Sequence, residues 1–237
     1  LWIRRQRQMC IRDRLFSVGF SSIGFIAAIT VTALAVREVT TNPYLVGIPN
    51  ALGVGGAFVG TQIFDYLQKK YSRMLALANT FFVGAIGGVV CFISLLTNSF
   101  NLLIVGAFVL GIGQSASLQT RYASSFIVKE EFRATALSLA VWFSVFGSVF
   151  GPRLVGQYSS TFKNIFGSEL IVAYFIATIG FLLAGFCVIG LTDKSSLLRL
   201  PVVTENTSSK TKLDSKATQL TVLLVVNHFV MVIIMAA

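Results

Sequence analysis

The last apolar stretch of the chain, "VVNHFVMVIIMAA", places His228, Met231 and Met235 at i, i+3 and i+7. That spacing puts the three side chains on one face of a helix, and His228 is the single histidine of the sequence. Thioether sulfur is a soft donor that suits Cu(I), imidazole accepts several transition metals, and none of the three carries a charge into an apolar setting. They form a candidate pathway for a soft metal ion. The pattern also has a packing explanation, because methionine fills irregular gaps in any apolar helix and a lone histidine can hydrogen-bond to a neighbouring one.

A second group sits in "GAFVLGIGQSASLQTRY", where Gln114, Ser115, Ser117 and Gln119 interrupt an apolar run. Polar side chains at membrane depth either face a bundle interior or cavity, or tie helices together by hydrogen bonds. These four are candidate cavity-lining residues on either ground. No other constellation suits catalysis: the apolar runs hold no Asp/Glu pair, no phosphate-cradling glycine loop and no nucleophile spaced from a base, so an enzyme is not expected. Cys91 and Cys187 lie inside apolar runs and no CxxC occurs, which leaves no disulfide framework and no permanently bound cofactor, only transported Cu(I).

These residues need elements to position them. Of the 237 residues 55% are hydrophobic and only 12% charged, with a mean hydropathy of +0.80, a composition that belongs in a lipid bilayer. Apolar runs of about 20 residues span about 30 Å as helix, the thickness of a hydrocarbon core. Breakers divide them into spans near 15–36, 44–66, 74–96, 102–122, 135–155 and 170–191. A polar segment at 193–217 reads as a cytoplasmic linker, and a further apolar run at 218–237 as the start of a truncated seventh span. The fold class expected is all-α integral membrane.

The net charge of +10 is a matter of topology and not of nucleic-acid binding. Residues 4–14, "RRQRQMCIRDR", resemble the translation of a sequencing adapter, and 1–14 are set aside on that ground. Removing their five Arg and one Asp lowers the charge to +6 and leaves 14 Lys and Arg. With a cytoplasmic N-terminus, 11 of these fall in inner segments, and Arg37, Arg153 and Lys163 fall on the outer side, as retention of positive charge inside requires.

Six helices, a basic inner linker and a seventh helix resemble the N-terminal half of a major facilitator superfamily transporter, an MFS six-helix half-bundle. The loop "GTQIFDYLQKKYSRM" stands where that family has G-x-x-x-D-R-x-G-R. Lys69 replaces its acidic residue and Ser72 its glycine, Lys70 and Arg73 match its basic positions, and Asp65 lies one turn earlier. The resemblance implies a gating role for Asp65, Lys69, Lys70 and Arg73; a plain inside-positive anchor is the alternative. "FGSVFGPRLVG" is similar to the family's G-x-x-x-G-P-x-x-x-G element, and Gly147, Gly151, Pro152 and Gly156 imply close helix packing and a bend. Gly111 and Gly113 sit at the family's R-x-x-x-G-x-G spacing, but Ala107 occupies the arginine's place.

The His-x-x-Met-x-x-x-Met run and the block "LQTRYASSFIVKEEFRATALSLAVWFSVFGSVFGP" are similar to the CcoA-like branch, which includes copper importers and riboflavin-importer-like proteins. The branch implies copper import by alternating access in a bacterial inner membrane. A riboflavin-like solute, drug efflux, or a membrane scaffold that transports nothing are the alternatives. The partners expected are the lipid bilayer, a small solute or metal-ion cargo, and a missing C-terminal half of the same protein.

Overall fold

The computed structural model describes residues 2–40, 42–125, 133–190 and 223. Six α-helices follow one another, α1 (Trp2–Val39), α2 (Ile48–Lys70), α3 (Arg73–Leu96), α4 (Phe100–Ser125), α5 (Arg133–Phe166) and α6 (Ile171–Gly190), with a 3₁₀ turn at Pro43–Leu45. No strand occurs among the described residues. The linker and the seventh span, with His228, Met231 and Met235, lie outside them.

Local chemistry sets the breaks. Pro49 opens α2, where a missing N–H costs nothing. Ser72 caps α3, its Oγ accepting from the Leu75 N–H at 3.4 Å, which gives the serine in the motif glycine's place a structural task. Helix α5 stops at Gly167, whose φ of +83° suits glycine alone, and the Gly167 N–H donates to the Lys163 carbonyl at 2.9 Å.

Among the described residues, five helical stretches are long and apolar enough to cross a membrane: Leu15–Val39, Arg73–Leu96, Phe100–Arg121, Leu137–Phe166 and Ile171–Gly190. The protein is an all-α membrane bundle. Helix α2 has the length, at 23 residues, but Gly53, Gly55, Gly56 and Gly60 with Asn50, Gln62 and Asp65 dilute its apolar character. Helix α5 differs from expectation in the other direction, running to Phe166 where the sequence suggested an end near residue 155.

The principal neighbours are α3 with α4, α1 with α6, α2 with α4, α3 with α6 and α1 with α5. Exchanging α1, α2 and α3 for α4, α5 and α6 maps this set onto itself, the signature of two three-helix repeats. Small residues sit at the matching seams. A Cβ on Gly24 of α1 would lie 2.9 Å from the Ala177 carbonyl oxygen of α6, and one on Gly84 of α3 would lie 2.7 Å from Gly113 Cα of α4. Backbones this close gain dispersion contacts that larger side chains would prevent. The core between α3 and α6 is filled by Phe81, Phe181 and Tyr174, all fully buried, and the Tyr174 hydroxyl donates to Thr32 Oγ1 of α1 at 3.3 Å.

Candidate functional site

The polar run of α4 separates into two kinds of residue. Ser115 and Ser117 are fully buried. Ser115 Oγ donates to the Ile112 carbonyl at 2.7 Å and faces Gly60 of α2, where an added Cβ would approach it to 2.6 Å. Ser117 Oγ lies 3.1 Å from Ser21 Oγ of α1, a hydrogen bond across the crossing of the two repeats. Gln114 and Gln119 are half-buried. Among the described residues, Gln114 Oε1 has no hydrogen-bond partner, and neither does Ser22 Oγ of α1. Burying such an acceptor in an apolar medium is costly, so α1 and α4 carry unspent polar capacity beside the bonded serine pair.

At the turn between α2 and α3, Asp65 accepts from Gln68 Nε2 at 3.0 Å, and its carboxylate attracts the Arg73 guanidinium at the first turn of α3. Lys69 and Lys70 are exposed, and Lys70 Nζ lies 5.6 Å from the Tyr71 ring centre. The acidic residue one turn before the motif position thus has a basic neighbour within these six helices.

The glycine-proline element divides in the same way. A Cβ on Gly147 would meet Ser22 Cβ at 2.7 Å, and one on Gly151 would meet the Ile23 carbonyl oxygen at 3.0 Å, so both form the α1–α5 seam. Gly156 has open space around it, and Pro152 faces outward. A proline inside α5 frees the carbonyl four residues earlier and permits a bend.

One residue was not singled out from sequence. The sequence puts Arg153 on the outer side, just inside a span expected to end near residue 155. Helix α5 runs on to Phe166, so Arg153 lies within the helix and not at its end. A charged rim is formed by Arg37 and Glu38 at the end of α1, Lys163 near the end of α5, and Glu169. Lys163 Nζ pairs with Glu169 Oε1 at 2.6 Å, and Ser168 Oγ donates to Glu38 Oε2 at 2.9 Å. Arg153 stands ten residues inward of Lys163, about 15 Å along the helix, and that is half a hydrocarbon core. In the other direction the next charge on α5 is Arg133, twenty residues away. The neighbouring Gly151 packs on Ile23 and Ala27, in a stretch of α1 without charge from Leu15 to Val36. The missed signal was the resumption of apolar spacing beyond Arg153, at Leu154, Tyr158, Phe162 and Ile165.

Along the same face of α5 runs a ladder of aromatic rings. Trp142, Phe146 and Phe150 are 63%, 51% and 46% exposed, with successive ring centres 6.3 Å and 6.2 Å apart. Arg153 and Gln157, both exposed, continue it. A separate apolar groove of about 400 Å³ lies between α1, α5 and α6, lined by Phe20, Leu154, Tyr158 and Ile179 among others. Among the described residues, no group of three His, Cys, Asp or Glu side chains is placed to hold a metal ion.

The chain is similar to two curated proteins of Bacillus subtilis (strain 168). It is 32% identical over 171 residues to the uncharacterized MFS-type transporter YddS, covering 72% of this chain and 39% of that protein. It is 31% identical over 175 residues to the uncharacterized MFS-type transporter YdeG, covering 72% and 41% respectively. The chain thus spans about two fifths of the length of these relatives. No family model matches the sequence, and no solved structure matches it.

Proposed function

We propose that this chain is the N-terminal six-helix half of a secondary transporter of the major facilitator superfamily, set in a bacterial plasma membrane with its N-terminus in the cytoplasm. The observation that carries the reading is the exchange symmetry of the helix neighbours, supported by its similarity to two MFS-type transporters. Two three-helix repeats form one rigid half, and in such transporters a second half rocks against it around a central site. The lipid bilayer, the cargo and the second half of the same protein are its partners.

For the cargo, copper import rests on His228, Met231 and Met235 as transient ligands, by donor chemistry and spacing. A second reading, an organic solute, is favoured by the exposed aromatic face of α5. The test is uptake by proteoliposomes holding the full-length gene product. Energised or exchange-driven flux of a labelled solute supports the transport reading, and its complete absence across copper and organic probes contradicts it. Copper uptake that survives replacement of both Met231 and Met235 by Leu removes the metal assignment.

A further inference from the structure

We infer that the face of α5 bearing Arg153 is a binding site for a small aromatic carboxylate. The inference rests on the transport reading only in making this solute the cargo; the site itself follows from the placement of five side chains. Trp142, Phe146, Phe150, Arg153 and Gln157 fall at i, i+4, i+8, i+11 and i+15, within less than a quarter of the helix circumference at 100° per residue.

Arginine at bilayer depth is costly, so one placed there faces a partner or a water-filled path. Arg153 takes part in no ion pair with a described carboxylate, and the carboxylates of the rim, Glu38 and Glu169, are engaged with Ser168 and Lys163. Its guanidinium is therefore open to an anion. A guanidinium fork matches a carboxylate in two parallel hydrogen bonds, and Gln157, one turn further toward the rim, adds an amide donor. On the inward side the exposed ring of Phe150 stands one turn away, followed by Phe146 and Trp142, an apolar and aromatic surface about 12 Å long. A ligand with a carboxylate at one end and a ring at the other satisfies both parts together. An aliphatic cation is drawn to the ring faces but repelled by the guanidinium.

The test uses the 237-residue chain in lipid nanodiscs with Trp2 changed to Phe, which leaves Trp142 as the sole tryptophan and makes it the reporter. Titration with 4-nitrobenzoate is expected to quench Trp142 saturably, and the neutral 4-nitrobenzamide to require a higher concentration. Arg153→Gln raises the half-saturating nitrobenzoate concentration at least about tenfold, the loss expected for a charge-assisted hydrogen bond, and leaves the amide unchanged. Arg153→Lys recovers part of the preference for the acid. Phe150→Leu weakens acid and amide alike.

Equal quenching by acid and amide in the wild-type chain overturns the proposal, as does Arg153→Gln with unaltered titrations. Abolition of the acid's preference by raising the anionic lipid content assigns the arginine to a lipid headgroup and also overturns it. The two readings fail separately. Arginine-dependent binding without flux in the full-length protein removes transport and leaves the site, whereas flux of another solute without such binding removes only the cargo class.

Discussion

Helices α5 and α6 are joined by a tight turn and yet answer to different constraints. In the most apolar stretch of α6 56% of the residues are buried, and in that of α5 only 17% are. Helix α6 is packed against α1 and α3 through small residues and buried rings, and its sequence is apolar all round. Helix α5 touches mainly α1, through Gly147 and Gly151, with lesser contacts to α4 and α6, and exposes the broad face that bears Trp142, Phe146 and Phe150. Burial on several sides makes a helix part of the scaffold. A helix held along one seam leaves surface for a second body or a solute, and α5 places its aromatic ladder and its arginine there.

Substitutions can break this comparison, in descending order of effect. Gly113→Leu drives a side chain into Gly84 and Phe181 and is expected to cost about 3 kcal/mol or more, read as loss of the monodisperse folded peak in detergent. Gly147→Val, at the α1–α5 seam, costs about 1–3 kcal/mol by the same overpacking, measured as a fall in the thermal midpoint. Tyr174→Phe removes the bond to Thr32 and costs about 1 kcal/mol. Gly156→Ala, in open space on the exposed side of α5, costs nothing and stabilises by up to about 1 kcal/mol through helix propensity. A comparable penalty at Gly147 and Gly156 would mean that α5 is clasped on more than one side.

The sequence disclosed the helices through their apolar periodicity, and the close-packed seams through Gly147 and Gly151, because both signals are local. It also located Asp65 one turn before the motif position, although its neighbour Arg73 depended on the geometry of the α2–α3 turn. Helix α2 was legible as a span near 44–66 although its glycines, which let it press on α4, weaken the hydropathy by which a span is recognised. One feature escaped. The length of α5 was obscured by Gly151-Pro152-Arg153, a breaker followed by a charge, which in sequence marks the end of a span. A proline inside a membrane helix can be absorbed where neighbouring helices hold the segment, and α1 holds this one.

The same region gives the most direct test of the account. In the chain with Trp2 and Trp142 changed to Phe, a tryptophan is placed at Gly156, where an added Cβ would meet no described neighbour within 4 Å and which lies ten residues inside the Phe166 end of α5, about 15 Å along the axis. Quenching by bromolipids is then compared for bromines near the headgroup and bromines midway down the acyl chain. Stronger quenching by the midway bromines is expected if α5 continues through the bilayer to Phe166 and carries Arg153 within it. Stronger quenching near the headgroup, or none at either depth, would put the end of the span at residue 155, return Arg153 to the water, and contradict the account.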